Sequence, residues 1–406
     1  MFLCLGKERK PSGEKVYLPS NLSPSRGMSE SIYLDHAATT PLRPEVRAAM
    51  VAALEGPFGN PSSTHAYGRK AKVEVEKTRK AIASELGVSP GEVIFTSGGT
   101  EADNAALLLP VRDLKIGRII TAATEHHAVL HAAEQIARCY SVKLELVRLD
   151  AQGRVDLNDL EAKLKAGPRT LVSLMHANNE IGNLLDLQAA GELIHRYDGI
   201  FHSDTVQTLG HYRLNLAELP VDMLSCSAHK FYGPKGIGFL VLRNHLKLES
   251  YLTGGAQERG MRGGTENTPG LVGLGKAWEL AYAHLDAERA HIQDLKLYFR
   301  DALQENIPQV EFNGLSADLD QSLYTVLSTR FPQLENDGGM LLFNLDLAGI
   351  AVSGGSACSS GSLQGSHVIR SLYPENKAAT VRFSLGVSNT HEQLDRTVEV
   401  LKQHLN

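Results

Sequence analysis

Between about Pro44 and Gly210, short β-rich runs alternate with longer helical patterns. EVIFTSG (92–98), RIITAAT (118–124), KLELVRLD (143–150), TLVSLMH (170–176) and IFHSD (200–204) carry the β-branched and apolar residues of strands. Helix-like stretches at 66–86, 100–109, 127–138, 156–165 and 187–197 separate them. This alternation predicts βαβ crossovers and a mostly parallel sheet covered on both faces. VDMLSCS (221–227) and GIGFLVLR (236–243) follow with only a Gly/Pro loop between them, too short for a crossover helix, so an antiparallel strand is expected there. A long helix is predicted over 271–304, then strands at 325–331 and 380–386 and helices at 338–347 and 391–404. The expected organisation is an α/β large domain over 44–285 and a smaller α+β domain from 29–43 and 286–406.

Composition excludes several classes. A net charge of −5 over 406 residues, with the signs interspersed, gives no reason to expect nucleic acid or an anionic membrane as partner. No apolar stretch is long enough to span a bilayer. The four cysteines (Cys4, Cys139, Cys226, Cys358) are scattered, without zinc spacing or a disulfide framework. A reducing, cytoplasmic setting is therefore expected. Residues 1–28 mix Pro, Ser, Gly and charge without periodicity and read as a disordered or non-native extension, with Met28 as a candidate start.

Chemistry concentrates at the ends of the predicted strands, where ligands bind in doubly wound sheets. Lys230 follows one strand, and Asp204 ends another. An amine that forms a Schiff base and a carboxylate that keeps a pyridine nitrogen protonated are what pyridoxal-phosphate (PLP) chemistry needs. Gln207, three residues past Asp204, is placed to reach the ring's phenolic oxygen. TSGGTE (96–101) opens a helix on two glycines, a setting for an anion. TEHHAVL (124–130) offers an imidazole at His126 or His127, and HANNEIG (176–182) offers an amide. Cys358 lies within SGGSACSSGS (353–362), a composition that predicts a mobile loop. Taken singly, each has an ordinary explanation: a solvated lysine, an N-cap aspartate, a tight turn, a linker with an incidental cysteine.

Together these segments resemble the cysteine desulfurases, in the class-V aminotransferase-like branch of fold-type I PLP enzymes. YLDHAATTP (33–41), GNPSSTHAYGR (59–69), TSGGTEADN (96–104), HSDTVQ (202–207), SAHKFYGPKGIG (227–238), ERGMRGGTEN (258–267) and VRFSLG (381–386) carry the resemblance with the segments above, in the family's order. It implies a mostly parallel seven-stranded sheet in the large domain. It makes Lys230 the Schiff-base lysine, Asp204 the pyridinium partner, Gln207 the phenolic-oxygen partner and His126 the stacking acid/base. Gly99, Thr100, Ser227 and His229 would hold the phosphate, and Thr265 would reach the phosphate of a neighbouring subunit in a homodimer. Asn179 would line the cofactor and substrate site, Arg382 would grip the carboxylate of L-cysteine, and Cys358 would carry the sulfur as a persulfide. L-alanine and a sulfur-acceptor protein, either an iron–sulfur scaffold or a thiolation relay, complete the implied reaction. One position departs from the pattern. Thr205 stands where the family usually has Ala beneath the ring, and its extra hydroxyl is expected to tilt the cofactor or tune its electronics.

Overall fold

The computed structural model describes residues 31–56, 58–335, 337–354, 366–375 and 377–405. The expectations for residues 1–28 and for Cys358 fall outside the described residues. Along the chain run β1 (Ile32–Tyr33), α1 (Pro44–Glu55), α2 (Ala66–Leu86), β2 (Val93–Thr96), α3 (Gly99–Asp113), β3 (Arg118–Ala122) and α4 (His127–Tyr140). Next come β4 (Lys143–Val147), α5 (Leu157–Lys165), β5 (Thr170–Ser173), α6 (Leu187–Arg196), β6 (Ile200–Asp204), β7 (Met223–Ser227) and β8 (Gly238–Leu242). The remainder is α7 (Thr268–Asn306), β9 (Glu311–Phe312), β10 (Val326–Glu335), α8 (Gly338–Leu347), β11 (Ile350–Ala351), α9 (His367–Leu372), β12 (Ala378–Ser384) and α10 (His391–Leu405).

Seven strands form the main sheet in the order β2-β8-β7-β6-β5-β3-β4. Only β8 runs against its neighbours, pairing antiparallel with both β2 and β7. The short loop between β7 and β8 requires this, as expected. Strands β2, β3, β5, β6 and β7 are buried along their whole length, because helices cover both faces. A three-stranded antiparallel sheet, β12-β10-β9, lies in the C-terminal part, and the N-terminal β1 joins that part by pairing parallel with β11.

Helix α7 joins two apolar cores. Leu271 to Leu285 belong to the core under the main sheet, whereas Ile292 to Leu303 pack with Phe331, Phe383 and Leu401. Helix α3 runs past the predicted end at residue 109, through Pro110 to Asp113. Proline removes one N–H from the ladder, but Leu107, Leu109 and Val111 are buried around it and hold the last turn in place.

Candidate active site

The carboxyl ends of β2, β5, β6 and β7 and the start of α4 surround one cavity of about 380 Å³. Right-handed crossovers bring these ends to one edge of the sheet although their residues lie up to 130 positions apart. Each strand stops there because the next residues are turn or helix-start residues.

At the first junction β2 gives way to α3 through Gly98 and Gly99. Gly98 has φ +150°, a region open chiefly to glycine. A side chain on Gly99 would strike Val206 Cγ2 at 2.6 Å. The glycines thus let the start of α3 lie against Val206 and Ser227 and line the cavity. Thr100, Ser227 and His229 line the same end. His229 Nδ1 pairs with Thr39 Oγ1 at 3.1 Å.

Asp204 closes β6, and one of its oxygens accepts the Val206 N–H at 2.9 Å. Burial raises its carboxyl to about 6, against the backbone bond and the charge of Lys230. Lys230 lies at the end of the turn after β7, where Nζ donates to the carbonyls of Ala37 (2.6 Å) and Ala38 (2.9 Å). Gln207 Nε2 donates to the same Ala37 carbonyl at 3.0 Å. His126 caps α4 by accepting the Ala128 N–H on Nδ1 at 3.1 Å, which fixes the neutral ring's proton on Nε2. Burial, then the charge of Lys230, lowers His126 to about 4. His127 faces away and stacks on His131, with ring centroids 4.6 Å apart.

The opposite wall comes from the C-terminal part. Arg382 on β12 is 1% exposed; Nη2 donates to Asp35 Oδ1 (2.7 Å) and Nη1 to the carbonyl of Asn179 (2.8 Å). Its buried Nε has no acceptor among the described residues. Asn179 lines the cavity, while Asn178 is structural and accepts the N–H groups of Glu180 and Ile181. Thr265 is exposed and lies apart from this cavity, in a neighbouring pocket that shares Ser97 and Gly236.

Some groups here were not anticipated. Asp103, on the second turn of α3, lines the cavity with Oδ1 3.6 Å from His202 Nε2 but in no hydrogen bond among the described residues, and burial followed by the Asp204 charge raises its carboxyl well above the usual range. Glu125 is equally buried and raised but lies behind the cavity wall, in a separate pocket, where it accepts the Met175 N–H at 2.8 Å. Both stand inside motifs quoted above, but only the fold turns them inward. The expectation for Thr205 is corrected. Its side chain is fully buried outside the cavity, and Oγ1 donates to the Ser225 carbonyl at 2.8 Å. Val206 is the residue that reaches the cavity, because the chain stays extended through Thr205, whose N–H still bonds the Ser225 carbonyl, and alternate side chains share a face.

The profile of the aminotransferase class-V family matches residues 32–397. The chain belongs to that family. It is similar to the protein named cysteine desulfurase IscS of Dictyoglomus turgidum, 42% identical over 93% of this chain and 95% of that one. A second, named putative cysteine desulfurase IscS 1, from Bacillus subtilis, is 41% identical over 90% and 96%. Among solved structures, a NifS-like protein superposes with TM-score 0.83 at 32% identity, covering 93% of this chain and 99% of that one. A structure described as SspA in complex with cysteine gives TM-score 0.75 at 30% identity, covering 89% and 100%. These relatives place the chain among the cysteine desulfurases.

Proposed function

We propose that this chain is a PLP-dependent cysteine desulfurase that converts L-cysteine to L-alanine and keeps the sulfur as a persulfide on Cys358. The observation that carries the reading is one cavity in which a lysine amine, a buried strand-end carboxylate and a glycine-formed helix start converge.

The residues fit the cofactor. The start of α3, Thr100, Ser227 and His229 would hold its phosphate. Asp204 would face its ring nitrogen, Gln207 its phenolic oxygen, and His126 and Val206 its faces. Lys230 would meet its aldehyde. When bound, the group supplies an aldehyde for amine exchange and an electron-withdrawing ring.

The chain's own residues supply the rest. Arg382 would take the substrate carboxylate, for which its Nε and fork are suited. Asn179 would line the same end. Lys230, once exchanged by substrate, would take the α-proton. Neutral His126, with its proton on Nε2, would assist the transfer to or from the substrate sulfur. Cys358 would attack that sulfur. The segment bearing it is tied down on both sides near the cavity: Ser353 pairs with the backbone of Arg382, and Ser366 Oγ donates to Glu180. Cys358 is five positions along the sequence from Ser353, a reach of at most about 17 Å. Thr265 would serve a neighbouring copy of the chain in a homodimer, and a sulfur-acceptor protein, an iron–sulfur scaffold or a thiolation relay, would unload Cys358.

The test is to supply the protein with PLP and L-cysteine and to assay alanine and sulfide together. Alanine formation that disappears in Cys358→Ala, with the visible absorbance of the bound cofactor kept, is the expected result. Alanine formation at the wild-type rate in Cys358→Ala would overturn the role of Cys358, and cofactor absorbance unchanged in Lys230→Ala would overturn that of Lys230.

A further inference from the structure

The end of the cavity suited to an anion carries a negative charge of its own. Glu101 lies in the first turn of α3 and lines the cavity beside Gly99 and Thr100. Its Oε2 accepts the Ser97 N–H at 2.8 Å. A carboxylate is favourable at a helix start, yet it repels a second anion brought to the same turn.

Arg262 answers that charge. Its Nε donates to Glu101 Oε1 at 2.9 Å and its Nη2 to Oε2 at 3.2 Å, a two-pronged contact across 161 positions of sequence. Burial pushes the Glu101 carboxyl up, but Arg262 and Ser97 outweigh it and hold the group below its ordinary range. Arg262 itself stays outside the cavity and lines the neighbouring pocket with Thr265. Its segment has a separate anchor. Glu258 receives both guanidinium nitrogens of buried Arg79, at 2.7 and 2.8 Å, and the Phe95 N–H at 2.9 Å. The loop therefore keeps its place without the Arg262–Glu101 pair.

We infer that Arg262 is a positioning residue that cancels and holds back the charge of Glu101, so that the start of α3 accepts a phosphate ester. The inference rests on the PLP reading above and assigns the selectivity for the phosphorylated cofactor to a residue that does not touch it. Without Arg262, Glu101 keeps its charge and faces the incoming phosphate.

The experiment uses the full-length apoprotein and compares affinity for pyridoxal 5'-phosphate with affinity for pyridoxal, by absorbance or fluorescence titration. Arg262→Met should weaken pyridoxal-phosphate binding by roughly tenfold and leave pyridoxal within about twofold. Adding Glu101→Gln should restore the phosphate ester's affinity, and Glu101→Gln alone should match or exceed wild type. Equal losses for both ligands, or a double variant as weak as Arg262→Met, would overturn the inference and leave Arg262 a simple loop tether. A wild-type protein that binds neither ligand would overturn the cofactor reading itself, a result distinct from the other two.

Discussion

The two walls of the cavity treat charge in opposite ways. On the sheet side, Asp103 and Asp204 are buried carboxyls whose affinity for protons is raised, and no arginine among the described residues pairs with either. On the side of β12, Arg382 is equally buried but already paired with Asp35. A buried unpaired carboxylate costs stability until a cationic partner arrives, whereas a buried pair must exchange one partner for another. The sheet side is therefore built to receive a cation, and the β12 side to trade one carboxylate for another.

The largest expected effect comes from removing the charge on the sheet side. Asp204→Asn should lower alanine formation by about a hundredfold or more, because an amide cannot hold a proton on a ring nitrogen. The same variant should make the apoprotein more stable. The folded carboxyl stands at about 6 against an ordinary 3.8, so the folded state binds the proton more tightly than the unfolded chain does. The cost of ionising it is complete above pH 6 and fades as the pH falls towards 4. Thermal denaturation of the two apoproteins should show the gain at pH 7.5 and its shrinkage at pH 5. A wild-type protein as stable as the variant at both would break the contrast between the walls.

On the β12 side, two variants should move in opposite directions. Arg382→Lys keeps the charge but loses the planar fork, so KM for L-cysteine should rise by roughly tenfold or more. Asp35→Asn removes the competing carboxylate. It should lower KM by about threefold at some cost in stability, since it leaves a buried guanidinium half paired. A raised KM in Asp35→Asn would mean that Asp35 only orients Arg382 and that no exchange occurs.

The sheet side was legible in the sequence because each of its residues sits within a few positions of a strand end. Lys230, Asp204, His126 and Thr100 follow short apolar runs whose boundaries the structure keeps to within a few residues. Local pattern was enough to bring them to one edge. The β12 side is different in kind. Asp35 and Arg382 are 347 positions apart and meet only because β1 and β12 are drawn together, through the bridge of Asp35 to Ser384. No periodicity announces such a contact, and Asp35 went without a role although it stands in a quoted motif. Asp103 and Glu125 escaped for a related reason: inside an amphipathic helix or a turn, an acid reads as solvated until the packing buries it. Thr205 gave way to Val206 because the strand alternation carries on past Asp204, so the residue two positions on shares its face.

Lys296 offers a comparison outside both walls. It is 1% exposed on α7, donates to Ser322 Oγ at 2.8 Å and to the Leu323 carbonyl at 3.0 Å, and among the described residues has no carboxylate within salt-bridge distance, the Asp318 charge acting on it from farther off. Burial lowers its amine to about 7 from an ordinary 10.5. Here the sign runs opposite to that of Asp204. The unfolded chain binds the proton more tightly, so the burial cost is complete below pH 7 and is relieved as the pH rises towards 10. Lys296→Met should therefore abolish a rise in stability between pH 7 and 10 that the wild type shows, measured as denaturant midpoints across that window. If the slope survives the substitution, the ammonium is solvated in the folded protein. The sheet-side carboxyls without an arginine partner would then be the described chain's more expensive buried charges, and the contrast between the walls would sharpen.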